Sequence, residues 1–549
     1  MINKIKNISY GYEKFLFIYL SIYLIFQIIF ITKGGTTWDD LKLLETTPQI
    51  IHKFNLFFID SSNPYLSEFV SNFEFYGYLV LIPAYLFSNN IFVINFFSYL
   101  LNDLFLINII NQRDFEYILR YIFLNIYVVI SLFIIFKIYS RLSDPIRSFQ
   151  FIVILTLVPA FSGHALFNLK DIPFMIQNIF VTLFFINYLI NFKNSEVSDQ
   201  IKLGVSLGLL LLIRFNGIAF AAIYFLFSFL YLEKNYFTIK KNIINWLKII
   251  IISNFILLFG TPSSWQKPKL WIEKTIETQF NLYWDSYVLT NGKFMFAMDI
   301  EPLYLFTWFN YKLPIFFHFF VLFSFALVIK AFIKRNYNFS LLFIFSSYFI
   351  SFIFLSFMIL RPVAYDGIRQ YLFLIPFFVF LVVESIRYLN KSITVPIFGF
   401  LLFYLIFTQL GLGPYRYVYF NEFAKADSIT IDCDKVGGCG NWQTDYWGYS
   451  GKELITDINK ELKGSLYLCS PKHSFSTYLD SENINIIDDL TKIDGEFYVA
   501  YFHRPMLIND TCDFSKNNLN VICENVTTKK VKLRFEEINL SYVSKCIKS

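Results

Sequence analysis

Charge is what this sequence has least of. Asp, Glu, Lys and Arg make up 16% of the 549 residues, against 56% apolar residues, with 70 Phe and 37 Tyr. A chain built of ordinary soluble domains needs more charge than that to cover its surface, so lipid must be the solvent for much of this one. Cysteine is missing from everything before residue 433; all six, Cys433, Cys439, Cys469, Cys512, Cys523 and Cys546, fall in the last polar stretch. A glycine-rich phosphate loop, a G-x-S-x-G elbow and a helical metal-ligand motif are also missing, which removes those three routes to phosphate, acyl and metal chemistry. The net charge of +6 is scattered between apolar runs, so it is no nucleic-acid signature.

The cysteines, confined to one segment, point to disulfides in an oxidising compartment. Zinc would favour short C-x-x-C spacing, which neither 433–439 nor 512–523 offers. Proximity along the chain pairs Cys433 with Cys439 and Cys512 with Cys523, leaving Cys469 for Cys546, one of many pairings that six cysteines allow.

What is present is a succession of apolar runs, near 15–31, 117–139, 149–163, 173–191, 201–213, 217–232, 246–260, 314–333, 341–360, 371–388 and 393–412. A hydrocarbon core about 30 Å thick takes about 20 helical residues, so the shorter runs must borrow from their flanks. These runs predict 11 spans, or 13 if the apolar stretch 75–110 crosses as a hairpin rather than lying at the interface. Lys4, Lys6 and Lys14 precede the first span, and Lys137, Arg141, Arg147, Lys193, Lys202, Lys234, Lys240, Lys241, Lys330, Lys334, Arg335, Arg387 and Lys391 fall on the same side. The positive-inside rule makes that side cytoplasmic, and an odd span count puts the carboxy terminus outside, where the cysteines also need it. The first span lacks a small-residue cleavage site and reads as a retained anchor.

The expected architecture is therefore an all-α polytopic membrane bundle over 1–413 with a small α/β extracytoplasmic domain over 414–549. Strands are expected at 464–469, 484–487 and 497–501, and a helix over 450–462. Outward loops cover 33–74, 164–172 with a break at 214–216, 261–313 and 361–370.

Those loops hold the unusual polar clusters. Asp39 and Asp40 follow the first span; paired carboxylates there can take a proton from a hydroxyl or hold a cation, and the plainer alternative is a helix cap near Leu41. The run Gly163-His164…Asn168-Leu-Lys170-Asp171-Ile-Pro173-Phe174 places ionisable groups between two apolar spans, where each costs roughly 2.5–3.5 kcal/mol at the bilayer centre and less at its edge. There Asp171 could equally cap the next helix, with Pro173 in its first turn and Lys170 snorkelling. Arg361 and Arg369 flank an Asp366-Gly367 turn, and Arg214 sits at the 214–216 break; an arginine fork suits a phosphate.

Taken in order, these residues resemble the GT-C glycosyltransferases. The nearest group is the bacterial protein-mannosyltransferase-like family, the dolichyl- or polyprenyl-phosphate-mannose protein mannosyltransferases and their relatives, the lipid A aminoarabinose transferases. The resemblance rests on the acidic pair, the Asn-x-Lys-Asp-x-Pro run from Asn168, Arg214, Tyr365-Asp366-Gly367-Ile-Arg369-Gln370 and Tyr304-Leu-Phe-Thr-Trp-Phe-Asn-Tyr-Lys312-Leu-Pro314. It covers residues 1 to about 415, extending to Tyr419-Phe-Asn-Glu422 and Asp445-Tyr-Trp-Gly448. One departure stands out: the family usually shows Asp-Glu where this chain has Asp39-Asp40.

The resemblance implies inverting transfer of a sugar, mannose-like or another hexose or pentose, from a polyprenyl phosphate to an acceptor hydroxyl on the outer face of the membrane. Asp39 or Asp40 would be the catalytic base. Lys170, Asp171, Arg214, Arg361, Arg369, His164 and Asn168 would bind the donor's phosphate or sugar. No cofactor is obligatory and no metal site is expected, although some members of the superfamily use a divalent ion. The partners implied are membrane lipid, the lipid-linked donor and a protein, lipid or glycan acceptor, with no nucleic acid, in a bacterial inner membrane with a periplasmic carboxy-terminal domain. The rival readings are a lipid-linked sugar flippase, which would show midplane charges and a span repeat, and an oligosaccharyltransferase, whose Trp-Trp-Asp order Asp445-Tyr446-Trp447 does not reproduce.

Overall fold

The structure, a computed structural model, describes residues 2–69, 78–105, 109–194, 196–280, 284–334, 339–433, 435–459, 462–480, 484–489, 495–505, 512, 514 and 521–548. Parts of the expected features fall outside those residues: 70–74 of the first loop, 75–77 and 106–108 of the apolar stretch, Arg335, and 460–461 of the tail helix.

The first apolar run forms α1 (Ile2–Lys33), followed by the amphipathic α2 (Asp40–Ile59). α3 (Tyr78–Ser88) and α4 (Ile91–Ser98) come next, then α5 (Gln112–Leu142), α6 (Pro145–Leu157), α7 (Pro159–His164), α8 (Asp171–Ile190), α9 (Val197–Ile213), α10 (Gly217–Tyr231) and α11 (Tyr236–Phe259). The long loop carries α12 (Pro268–Phe280) and a hairpin of β1 (Tyr287–Thr290) and β2 (Lys293–Phe296). α13 (Tyr304–Lys312), α14 (Ile315–Lys334), α15 (Leu341–Leu360), α16 (Ile375–Ile386) and α17 (Lys391–Leu410) complete the bundle.

The protein is a multi-pass membrane bundle. Among the described residues, eight helices are long and apolar enough to cross a bilayer, or nine if a bent pair counts as one span. The expected count of 11 is not met by length, because the runs at 149–163, 201–213 and 217–232 form helices of 13, 17 and 15 residues. Pro159 starts a new helix after Val158, and the chain is extended at Arg214 between α9 and α10. Nor do 13 spans arise from the apolar stretch 75–110. Its legs, 79–88 and 91–103, meet at 68°, and each is too short for a core about 30 Å thick. The break falls where Asn90 caps the second leg, its side-chain oxygen accepting from the Phe92 and Val93 amides.

Small residues let helices close up. A Cβ on Gly208 would come 2.7 Å from the Ser253 carbonyl, so α9 and α11 touch along a small-residue seam. Gly163 matters more for the site, since a Cβ there would overlap the backbone of Arg416 and Tyr417 in the turn Gly413–Val418 that follows α17.

The tail holds α18 (Ala426–Ile429), α19 (Gly451–Ile458), β3 (Gly464–Leu468), α20 (His473–Ser476), β4 (Ile484–Ile487), β5 (Glu496–Phe502), β6 (Val521–Leu533) and β7 (Glu536–Lys548). The sheet order is β4-β3-β5-β7-β6, with β3 parallel to β4 and β5, and β7 antiparallel to β5 and β6. Alternation along β5 sends Ala500 and Phe502 to the α19 side and Phe497, Val499 and Tyr501 to a second cluster that contains Cys469, Cys523 and Cys546. The three strands expected are present. The tail helix is shorter than 450–462, and the long β6–β7 hairpin, rich in Lys, Thr and Glu, carries no apolar run that would announce it.

Of the expected disulfides Cys433–Cys439 forms, but the other two pairings are wrong: the bridges are Cys469–Cys512 and Cys523–Cys546. Sheet register overrides sequence proximity, because β6–β7 pairing sets Cys523 directly opposite Cys546.

The tail domain is bolted to the bundle. Lys452 on α19 pairs with Asp114 at the start of α5 at 2.8 Å, both buried, and the Asn421 side chain donates to the Asn310 and Leu313 carbonyls at 2.6 and 2.7 Å. The Gly163 contact is part of the same junction and gives a direct test. Gly163→Ala should destabilise the protein by about 1–3 kcal/mol or more, as overpacked sites do. Gly399→Ala, where a Cβ meets nothing within 4 Å, should leave the thermal midpoint in detergent unchanged or slightly raised.

Candidate active site

Between α1 and α2 the chain runs as a tight strap under the tail domain. The Gly35 amide donates to the Tyr449 carbonyl and the Trp38 amide to the Trp447 carbonyl, each at 2.8 Å. This strap buries both acids of the pair. The Asp40 carboxylate turns back on its own loop, accepting from the Thr37 amide, the Thr37 hydroxyl at 2.7 Å and the Tyr121 hydroxyl. Asp39 makes no cap bond to the helix. Its carboxylate meets Lys170 Nζ at 2.8 Å and the Arg369 guanidinium.

The other side chains come from helix ends. Asn168 Oδ1 accepts from the Lys170 and Asp171 amides at 3.2 and 2.9 Å, and its Nδ2 donates to Asp171 at 2.9 Å. That turn starts α8, so Asn168 rather than Asp171 shapes the helix entrance, and Lys170 is buried instead of snorkelling. Asp171 reaches Arg214 at the α9–α10 break (2.9 Å) and Arg369 (3.6 Å). Before α16, Asp366 and Gly367 both adopt left-handed backbone, and this turn carries Arg369 inward. There Arg369 pairs with Asp366 at 3.0 Å and lies 3.8 Å over the Trp447 ring. Asp366 is shared with Arg504 of the tail domain at 3.0 Å, and Arg504 lies over Trp38.

His164 is buried beside this cluster, its ring nitrogens facing Asn168 at 3.5 Å and the Tyr446 hydroxyl at 3.2 Å. Arg361 stays apart. It is exposed at the end of α15 with a φ of 43°, and no acid among the described residues pairs with it.

Lys170, Arg214, Arg369 and Arg504 therefore interlock with Asp39, Asp171 and Asp366 in one buried network. Burial alone would push the Asp39 carboxyl up, but the Arg369 and Lys170 charges override it and hold the group well below the usual carboxylate range. Asp40, with no cation bonded to it, goes the other way, its burial outweighing the hydrogen bonds from Tyr121 and Thr37. Burial also lowers Lys170, with Asp39 opposing. His164 is pushed down to about 3 by burial, so at neutral pH it offers a hydrogen bond and no charge. Lys312, at the end of α13, is a further buried lysine; its Nζ donates to the Tyr417 carbonyl at 3.3 Å and sits 3.7 Å over the Phe420 ring. Such a site can hold an anion and a hydroxyl side by side. Among the described residues, no group of three or more His, Cys, Asp or Glu is placed to hold a metal ion.

The tail domain's share is not evident from charge clusters in the sequence: it is Arg504, Tyr446, Trp447 and Gln443, whose side-chain amide donates to Asp366 at 3.4 Å, and Asp366 itself looks there like a turn residue. The Asp445-Tyr-Trp-Gly448 run was the one available signal. Arg504, alone after a strand, gave none.

No family model matches the sequence, and no curated protein matches it. Among solved structures, the chain is similar to the crystal structure of ArnT from Cupriavidus metallidurans bound to undecaprenyl phosphate, at 10% identity and a TM-score of 0.44, covering 96% of this chain and 98% of that one. The apo state of the same protein gives 10% identity and a TM-score of 0.46, with 97% and 98% covered. At that level of agreement the likeness carries no weight for the chemistry, which rests on this chain's own residues.

The depressed His164 makes stability depend on pH. Native His164 takes its proton near pH 3 and the unfolded chain near 6.5, so between those values the unfolded state binds more protons and stability falls on acidification. His503, also pushed down to about 3 by burial, acts in the same direction. The thermal midpoint in detergent should drop as pH is lowered from 6.5, and His164→Gln should make that slope shallower, by up to about 1.4 kcal/mol per pH unit. An unchanged slope in the variant would show that His164 titrates normally.

Proposed function

We propose that this chain is an inverting glycosyltransferase that moves a sugar from a polyprenyl phosphate to an acceptor hydroxyl. The observation that carries this reading is the setting of Asp39, a buried carboxylate gripped by Lys170 and Arg369 where the ends of several membrane helices meet. Cations gathered at the ends of membrane helices suit a lipid-linked phosphate, whose tail stays in the bilayer.

In this mechanism the donor phosphate enters and takes Lys170 and Arg369 as its own partners. Asp39 is thereby released from the charges that depress it and becomes able to accept a proton. The acceptor oxygen attacks the anomeric carbon from the side opposite the phosphate, its proton passes to Asp39, and the carbon–oxygen bond to the phosphate breaks with its electrons going to the phosphate. The cations then stabilise the charge that develops on the leaving group, and no reorganisation is needed because they are already in position. Asp171 orients Arg214 and Arg369, Asp366 orients Arg369 and Arg504, and Asp40 holds the strap. The carbohydrate arrives already activated, which accounts for a sequence without a nucleotide loop.

In this reading residues 1–413 form the membrane domain, and 414–549 form a lid on the non-cytoplasmic side that closes the site from above. The lysine pattern supports that orientation, and a bacterial inner membrane with an oxidising periplasm suits the disulfides. Among hexoses and pentoses, and among protein, lipid and glycan acceptors, the cluster makes no selection.

Transfer from a radiolabelled polyprenyl-phosphate sugar by purified protein tests this directly. Asp39→Asn should lower the rate by about 10²–10⁴-fold, the usual worth of a positioned base, while Asp40→Asn should cost less. Asp39→Asn should also bind the polyprenyl phosphate more tightly than the native chain, because it removes the carboxylate charge that competes with the phosphate for Lys170 and Arg369. Full activity in both variants would remove the proposed base, and absence of transfer from every such donor would favour a flippase.

A further inference from the structure

The β6–β7 hairpin ends in a turn that its own sequence does not favour. Leu533 pairs with Glu536, so Arg534 and Phe535 alone make the turn. Their φ values are 52° and 75°. A two-residue turn with both residues left-handed is the place for Asn-Gly, and ordinary side chains resist it. Here it presents a phenylalanine with 81% of its surface exposed. A position that breaks a local rule without a local gain calls for a reason elsewhere.

The reason lies in what the tip rests on. The Phe535 ring lies 5.5 Å from that of Phe407, which in turn stacks on Phe403 at 6.1 Å. Both belong to α17, which of the eight qualifying helices has the smallest buried share, 17% of its apolar window. Phe400, Phe403, Phe407 and Leu410 all face outward from it, so this flank of the helix is covered by lipid. Phe535 continues that column at its upper end. Phe407 lies three residues before the end of α17, about 5 Å down its axis, so a ring packed against it sits level with the last turn of that helix. The hairpin is held at this depth: the Arg534 guanidinium donates to the Ala424 carbonyl, and a side chain on Gly411 would overlap the Lys532 backbone. Lys530 and Lys532, with Glu536 and Glu537, surround the tip with mixed charge suited to headgroups, and Lys530 pairs with Glu537 at 3.6 Å.

We propose that the β6–β7 tip is a membrane anchor, with Phe535 inserted into the leaflet beside the end of α17 and the flanking charges at headgroup level. The tail domain is then fixed at two places, by its polar bolts to the bundle and by a lipid contact at the far end of its longest hairpin. Its height above the membrane is set by the bilayer as well as by protein contacts. The occupant is lipid rather than a second protein, because the patch is continuous with the lipid-facing flank of a span.

All six cysteines are in disulfides, so a single introduced cysteine gives a unique site for a nitroxide label. Phe535→Cys, Lys532→Cys, Phe403→Cys and Asn485→Cys would be labelled in full-length protein and reconstituted into vesicles of phosphatidylethanolamine and phosphatidylglycerol. The probes are oxygen, which concentrates in the apolar layer, and a neutral nickel chelate, which stays in water. The label at 535 should favour oxygen over nickel several-fold more than the label at 485 on exposed β4, and approach the value at 403 in the span. A label at 535 that behaves like the one at 485 would overturn the anchor. Should Phe535→Cys fail to fold, the label at 532 decides with Phe535 intact: intermediate accessibility supports insertion, and water-like accessibility refutes it.

Discussion

One guanidinium holds the candidate site together. Arg369 is buried among Asp39, Asp171 and Asp366 and lies over the Trp447 ring. A buried charge is tolerable only when its partners are equally well placed, and removing one member of such a set costs several kcal/mol because the others are left uncompensated. Each of those acids belongs to a different element: the strap after α1, the start of α8 and the turn before α16. Two of them extend the network, Asp171 to Arg214 and Asp366 to Arg504. Lysine could not replace this arginine, since a single ammonium cannot present five planar donors to three carboxylates and an aromatic face at once.

The tail domain is therefore part of the site and not an appendage. It supplies Arg504, Trp447 and Tyr446, and its segment 447–449 holds the strap that carries Asp39. Gly34 lies against the Tyr449 ring, where no larger residue fits. The Lys452–Asp114 pair secures the same junction from the α5 side. Any force that shifts this domain moves the walls around Asp39.

Much of the architecture is legible in the residue order. Apolar runs announce the long helices, and the short strands of β3, β4 and β5 follow from their alternation. The helices that fall short of a full span were harder to read, because run length does not reveal that Pro159 restarts the helix or that Arg214 extends the chain. The β6–β7 hairpin was invisible for a related reason. It is polar on its open side, and its Arg534-Phe535 turn lacks the Asn-Gly signal of a tight hairpin. The β6–β7 pairing decided two of the three disulfides, against the proximity rule. Lys170, Asp171, Arg214 and Arg369 stood out because ionisable groups beside membrane helices are costly. Arg361 stood out on the same ground, yet it lies outside the cluster. Nothing about its composition or spacing separates it from Arg369; only the left-handed turn at Asp366 and Gly367 sends one inward and leaves the other at the rim.

By itself the sequence determined that the chain lives in lipid, that its cysteines occupy one polar domain and that its costly charges gather at helix ends. These are properties of composition and local spacing, readable without knowing what touches what. Tertiary structure alone decided that Asp39, and not its neighbour Asp40, faces the cations, and that a tail arginine joins them. Those outcomes depend on contacts between residues hundreds of positions apart, such as Asp39 with Arg369. The energies of buried charges are set by their partners, and partners are chosen only when the chain has folded.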